Sequence, residues 1–248
     1  MNCIAFSKLR GLFFVSFIAL MFASGCGDDS GGVCTPNSHP TQDGCQCDEG
    51  YLGGPTGCKA DKRFVSQIFS EEDLLFAPMK GPDNARVTIV EFCGFQCSFC
   101  MRTAPLLDDM LTEFHGEVQV YWLHTTLAVH LNGRPAAFSS IAAFSQDRFW
   151  EYHDQLFAER SDWSMLPEDD IQDYFDALAE SMGFDMQQWE TDLANDEATY
   201  ILQQDRALGD DLNVRITPIV YINDTRIEDA WEVTSLRAAI QQALDANP

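Results

Sequence analysis

Basic residues are scarce in this chain. Its 248 residues include 15 Lys and Arg against 39 Asp and Glu, a formal net charge of −24 at pH 7. So acidic a surface repels phosphate, which argues against nucleic acid as a partner and against electrostatic docking on anionic lipid. A long apolar span is missing too. The stretch from Leu12 to Phe22 is too short for a transmembrane helix. It follows Lys8 and Arg10 and ends at Ala23-Ser24-Gly25, the layout of a secretory signal peptide. Removing residues 1–25 takes away two basic side chains and no acidic one, so the remainder is more acidic still. There are no internal repeats and no low-complexity tracts.

Aliphatic residues are nearly absent from Gly27 to Lys62, which is rich in Gly, Asp, Ser and Pro. Such a segment cannot build an apolar core and needs cross-links. Export to an oxidising compartment would supply them. Of nine cysteines, Cys3 lies in the signal peptide. Cys26 follows small residues that resemble a bacterial lipobox, with Ala23 where that pattern usually has leucine, and is the expected lipidation site. Seven cysteines then remain, an odd number. Cys34, Cys45, Cys47 and Cys58 fall in the apolar-poor segment. Cys45-x-Cys47-x-x-Gly50-Tyr51 with Cys58 beyond resembles the C-terminal half of an EGF-like module, truncated to four cysteines. Four cysteines allow three connectivities; the resemblance favours Cys34–Cys45 and Cys47–Cys58. Read blandly, the segment is a stapled spacer; read functionally, it is a protein-binding knob.

From about Phe64 onward the chain is long enough for one sizeable core. Gly81-Pro82-Asp83-Asn84 reads as a turn, Val87 to Phe92 as a buried strand, about Cys97 to Phe114 as a helix, and Val118 to Leu123 as a second strand. Arg134 to Gly209 is helical in pattern throughout, with helices starting near Pro167 and Asp185. Thr217 to Ile222 reads as a third strand, Arg226-Ile227 as a short fourth, and about Val233 to Ala246 as a closing helix.

Cys97-Ser98-Phe99-Cys100 sits where the first strand gives way to the first helix. A helix N-terminus offers unpaired N–H groups and partial positive charge, which favour thiolate over thiol. Cys-x-x-Cys serves metal sites as well as redox sites, and in a strand–helix–strand context the redox reading leads. Glu91 lies within the apolar strand, where a carboxylate has no place without cause. Burial would raise its pKa; alternation could instead point it outward to water.

The element order, the Cys-x-x-Cys, Glu91 six positions before it, Pro105 eight after Cys97, the helical insert and Thr217-Pro218 opening a late strand together resemble the DsbA-like family of exported thiol–disulfide oxidoreductases. The resemblance covers roughly residues 78–245. It implies an α/β thioredoxin fold with an inserted all-helical subdomain, preceded by a small disulfide-stapled segment. The domains would be a lipoprotein signal peptide at 1–25, a tether with the truncated EGF-like module at 26–62, and a DsbA-like domain at 63–248 with its insert at about 130–210. Cys97 would be the nucleophile, Cys100 the resolving cysteine and Glu91 a proton carrier to it. Thr217 and Pro218 would form a cis-proline platform for client peptide, with Phe99 at its rim and Phe95 and Ile219 lining an apolar groove. Ser98 and Phe99 would tune the couple. Because Phe99 brings no positive charge, the potential would lie between about −120 mV for DsbA and about −270 mV for thioredoxin. No cofactor is implied. Partners would be cysteine-containing exported proteins, a redox partner that recycles the disulfide, and the membrane through lipid on Cys26, in a periplasm-facing setting. Pro105 would kink the first helix, and Trp150, Tyr152, His153 and Phe157 read as packing residues.

Cys93 does not fit the pattern. It reads as a small buried thiol at a strand end, as a partner of Cys97 in a regulatory disulfide, or as half of a soft-metal site. Cys-x-x-x-Cys resembles copper chaperones of thioredoxin fold such as the Sco family, with His124 or His130 as a third ligand. A redox-inert binding lipoprotein built on the EGF-like knob is a further alternative.

Overall fold

The computed structural model describes residue 66 and residues 68–246, with the backbone of four short strands ahead of them. Those strands form two antiparallel hairpins, β1 (Ser38–Thr41) with β2 (Gly44–Cys47) and β3 (Tyr51–Gly54) with β4 (Gly57–Ala60). Cys26, Cys34 and the side chains of Cys45, Cys47 and Cys58 lie outside the described residues, and with them the lipidation site and the expected pairing.

The centre of the molecule is a five-stranded sheet in the order β5-β7-β6-β8-β9. Its strands are β5 (Met79–Lys80), β6 (Val87–Cys93), β7 (Val118–His124), β8 (Ile219–Ile222) and β9 (Thr225–Ile227). β6 and β7 are parallel and joined by α1 (Ser98–Glu113), while the other pairings are antiparallel. The three inner strands are buried along their whole length, because helices cover both faces of the sheet. Alternation sorts the side chains of β6. Val87 and Ile89 pack with Leu107 and Met110 of α1 and with Leu236, Ile240 and Leu244 of α8 (Val233–Ala246). Val90 and Phe92 pack on the opposite face with Phe69, Leu123 and Tyr221. Glu91 follows Val87 and Ile89 in the row beneath α1.

Between β7 and β8 lies an all-helical insert: α2 (Gly133–Ser145), α3 (Phe149–Ala158), α4 (Arg160–Trp163), α5 (Glu168–Ser181), α6 (Met186–Ala194) and α7 (Glu197–Asp211). It is not one continuous helical stretch. Asp147 and Gly183 take positive φ and turn the chain between helices. Asp185 caps α6 by accepting from the backbone N–H groups of Gln187 and Gln188. Fully buried Tyr152, Trp163, Phe175 and Trp189 fill its centre, each contributing about 2 kcal/mol or more in apolar burial. The insert is tied to the sheet at the end of β7. There Asp205 accepts from the His124 backbone N–H at 2.7 Å and meets its ring Nδ1 at 3.0 Å, while Nε2 lies 3.1 Å from Ser140 Oγ. The hydroxyl of Ser140 donates onward to the carbonyl of Ala137.

Several sequence expectations need adjusting. β5 escaped notice because two residues carry no periodicity. The third strand begins at Ile219 rather than Thr217, since Thr217 and Pro218 belong to the loop before it. Pro105 does lie inside α1, as the sequence reading had it.

Candidate active site

β6 leads directly into the cysteine loop. Gly94 makes the turn, with its Cα so close to the chain after β7 that a Cβ would sit 2.4 Å from the carbonyl oxygen of Thr125. The Thr125 N–H donates to the Cys93 carbonyl at 2.7 Å, locking the two strand ends together. Phe95 then dives inward. It is fully buried, stacked on Trp122 with ring centroids 4.9 Å apart. The expected groove lining by Phe95 and Ile219 is therefore corrected: Phe95 anchors the loop from below, and Ile219 is buried in β8.

Gln96 clamps the loop to the insert. Its side chain donates to the Ser164 carbonyl at 2.6 Å and accepts from the Asn132 N–H at 2.8 Å, and its own carbonyl accepts from Arg160 Nε at 2.9 Å. These contacts position the residue that follows, Cys97, as the N-cap of α1. Gln96, Asn132 and Arg160 were missed from sequence. Their contacts span 36 to 68 residues, and no local pattern marks them.

Cys97 is a free thiol, 6 % exposed, and its Sγ donates to the carbonyl oxygen of Thr217 at 3.3 Å. The Thr217–Pro218 peptide bond is cis. Thr217 is buried, and its carbonyl is taken up by Cys97 rather than left open; a client strand pairing there would first displace that thiol. Cys100 lies in the first turn of α1, fully buried, and accepts from the Gly94 N–H at 3.5 Å. It is bonded to Cys93, seven residues earlier. The sequence had Cys93 as an isolated thiol, a partner of Cys97 or a metal ligand; here its partner is Cys100, because the turn at Gly94–Gln96 folds the end of β6 under the first turn of α1. Of the donors proposed for a soft metal, Cys93 is held in a disulfide and both ring nitrogens of His124 are engaged, while Cys97 keeps its thiol. His130 lies at the edge of an open pocket of about 620 Å³ with Arg134, Arg206 and Arg215; burial and the Arg160 charge push its pKa down.

Glu91 is 1 % exposed, so the outward-facing alternative fails: both faces of the sheet are covered. Burial, with a smaller push from the Asp108 charge, raises its pKa to about 8. Its Oε1 lies 3.1 Å from Cys93 Sγ. It opens onto a narrow pocket lined also by Lys80, Asp108, Trp150 and His153. Lys80 Nζ and Asp108 Oδ1 form a half-exposed pair at 2.5 Å at that pocket. His153, read from sequence as packing, is buried there with Nδ1 on Asp154 at 2.8 Å and no partner for Nε2; burial lowers its pKa, against the pull of Asp154.

Around the buried sulfurs the surface is apolar. Phe99 is 47 % exposed beside Trp231, with the Arg102 guanidinium 5.8 Å from its ring, and Met101 and Ile216 are also exposed. Ser98, between the two cysteines of the motif, is exposed.

A thioredoxin family model matches residues 77–242. The chain belongs to the thioredoxin family. Among curated relatives it is 30% identical over 166 residues to the Na(+)/H(+) antiporter NhaA 3 of Salinispora tropica, covering 66% of this chain and 24% of that protein. It is 29% identical over 168 residues to NhaA 1 of Mycolicibacterium gilvum, covering 66% and 26%. The chain thus spans about a quarter of the length of these relatives. No helix among the described residues is long and apolar enough to cross a membrane. Solved structures share the fold. Oxidised BdbD from Bacillus subtilis has a TM-score of 0.63 at 23% identity, over 73% of this chain and 98% of that one. The thiol-disulfide exchange protein alpha-DsbA2 of Wolbachia pipientis has 0.59 at 18%, over 69% and 90%. The catalytic domain of Proteus mirabilis ScsC has 0.57 at 23%, over 71% and 95%. This thioredoxin fold carries its helical insert between β7 and β8, as the resemblance implied.

Proposed function

We propose that this thioredoxin-family chain is a thiol–disulfide oxidoreductase, exported and tethered to the membrane through lipid on Cys26, that exchanges disulfides with cysteines of exported proteins. One observation carries the reading: Cys97 stands at the N-cap of α1 against the Thr217–Pro218 loop, one turn from Cys100, with a buried carboxyl beneath. A client thiolate attacks the Cys97–Cys100 disulfide at Cys97, forming a mixed disulfide and releasing Cys100 as thiolate. A second client thiolate then attacks the client sulfur, forming the client disulfide and leaving Cys97 and Cys100 reduced; a redox partner reoxidises them. Run backwards, the same steps open a client disulfide. Glu91 supplies and removes the proton of the buried thiolate. Phe99, Met101, Trp231 and Ile216 give an apolar rim for an extended client segment, whose backbone would take over the Thr217 carbonyl from the Cys97 thiol. Ser98 and Phe99 set the potential of the couple. Cys34, Cys45, Cys47 and Cys58 staple the tether that holds this domain off the membrane.

Insulin reduction and oxidative refolding of reduced ribonuclease measure the activity. Cys97→Ser abolishes both, and Cys100→Ala accumulates mixed disulfides on Cys97 that name the clients. A Cys97→Ser chain with undiminished rates would refute the reading.

A further inference from the structure

Three sulfurs meet at the end of β6, and only two can be bonded at a time. Cys93 and Cys100 are fully buried and joined, while Cys97 beside them keeps its thiol. Cys100 is the shared partner. Cys93 Sγ lies 3.1 Å from Glu91 Oε1. A disulfide sulfur has no proton to give, so any hydrogen bond across that contact comes from a protonated Glu91 carboxyl donating to sulfur.

We propose that Cys93 is a third redox-active cysteine, and that the oxidised site interconverts between a Cys93–Cys100 and a Cys97–Cys100 disulfide with Glu91 as the proton donor to Cys93. This presupposes the exchange chemistry proposed for Cys97. The Cys97 thiol first loses its proton to solvent. Its thiolate attacks Cys100 Sγ; the Cys97–Cys100 bond forms as the Cys93–Cys100 bond breaks. Cys93 leaves as a thiolate and takes the proton of Glu91, and the carboxylate regains one from solvent through the pocket beside Lys80 and Asp108. One disulfide exists before and after, so no oxidant or reductant is consumed.

The position of that single bond selects the chemistry. With Cys97–Cys100 joined, the site accepts attack by a client thiolate. With Cys93–Cys100 joined, Cys97 is a nucleophile toward a client disulfide. Cys100 is then withheld from resolving the mixed disulfide, so a second client thiol must do so, which rearranges the client's bonds rather than reducing them. An oxidised chain thereby gains an isomerase step that a two-cysteine site performs only when reduced.

Disulfide mapping of the oxidised full chain tests this. Acid quenching followed by pepsin cleavage after Phe92, Phe95 and Phe99 puts each of the three sulfurs on its own peptide. The expected result is two linked species, the Cys93 peptide with the Cys100 peptide and the Cys97 peptide with the Cys100 peptide. Added N-ethylmaleimide should trap Cys97 and draw the population into the Cys93–Cys100 form, about a hundredfold more slowly in Glu91→Gln. Recovery of Cys93 only as a free thiol would overturn the inference while leaving exchange at Cys97–Cys100 standing. Recovery of Cys93–Cys100 alone, with Cys97 never cross-linked to Cys100 or to a client, would overturn both. The mapping needs only the unmodified chain, so a poorly folding variant cannot obscure it.

Discussion

Two buried acids stand at the C-terminal ends of the parallel strand pair, and they are treated in opposite ways. Asp205 reaches the end of β7 and is matched to its surroundings: its Oδ2 takes the His124 backbone N–H and faces the ring Nδ1, and the ring is held on its far side by Ser140. Glu91, in the neighbouring strand β6, has a sulfur where Asp205 has N–H donors. It meets the cost of burial by keeping its proton. A buried acid whose acceptor sites are filled by donors is a structural tie. One left protonated beside a disulfide is chemically available. The Ser140–His124–Asp205 set has the composition of a hydrolytic triad, yet Ser140 is fully buried and its hydroxyl is spent on Ala137, so it fastens α2 and α7 to the sheet.

Substitution at each acid tests the contrast, and the largest effect is expected at Asp205. Asp205→Ala strands a buried backbone N–H and a buried ring nitrogen, lowering stability by about 3 kcal/mol, while activity per folded molecule is unchanged. Urea melts together with the insulin assay read both quantities. Equal loss of turnover in the folded fraction would move Asp205 into the catalytic machinery. At Glu91 the expectation reverses. Glu91→Gln preserves shape and removes the transferable proton, so the chain folds but its exchange rate drops by about a hundredfold, the lower range for a positioned acid or base. An unchanged rate would reduce Glu91 to a packing residue.

The two acids also differ in how visible they were from sequence. Glu91 could be found because a carboxylate interrupts the run Val87–Phe92, where its immediate neighbours Val90 and Phe92 are apolar. Whether it faced water was not decidable there, because a strand covered on both faces shows no alternation of polarity. Asp205 and His124 are 81 residues apart and look like any acid and histidine until the fold joins them. Strands β6 to β9, α1, the insert and the closing helix were legible from β-branched runs, breaker residues and helical periodicity. The Cys93–Cys100 bond was not, because spacing alone pairs Cys97 with Cys100 or with Cys93; the reverse turn at Gly94 that brings residue 93 under residue 100 depends on the approach of Thr125 from β7. Gln96 was invisible for the same reason, since its partners Asn132, Arg160 and Ser164 all lie in the insert.

Protonation sharpens the contrast further. Folded Glu91 holds its proton to about pH 8, against the ordinary carboxyl value of 4.5 expected of the unfolded chain. Between those values the folded state binds the extra proton. Its contribution to stability is therefore complete below the unfolded value and is lost as pH rises toward 8, at up to about 1.4 kcal/mol per pH unit. Urea melts across this window should show that slope in the natural chain and its absence in Glu91→Gln, where nothing titrates. Parallel curves would mean that Glu91 keeps its charge when buried.

The smallest expected effect isolates the field around Glu91 from the site itself. The groups facing Glu91 are the Cys93–Cys100 disulfide, Asp108 on α1, Lys80 on β5 and His153 on α3. The Asp108 charge pushes the Glu91 pKa up, and Asp108 is itself paired with the Lys80 cation at 2.5 Å. Lys80→Met keeps an apolar stem near the Trp150 ring but leaves Asp108 unopposed, so the pH midpoint of the exchange rate should move upward, by about one unit or less. Asp108→Asn removes the push and should move it downward. Because the pair is half-exposed, each change alters stability by only about 1 kcal/mol or less. Opposite shifts of the midpoint at nearly constant stability therefore place the titrating group in this pocket, and their loss in Glu91→Gln identifies Glu91, because buried His153 feels the two charges with the same signs. Shifts that persist in Glu91→Gln would place the titration on His153, whose Nε2 is unpartnered, and no shift in either variant would place it outside the pocket.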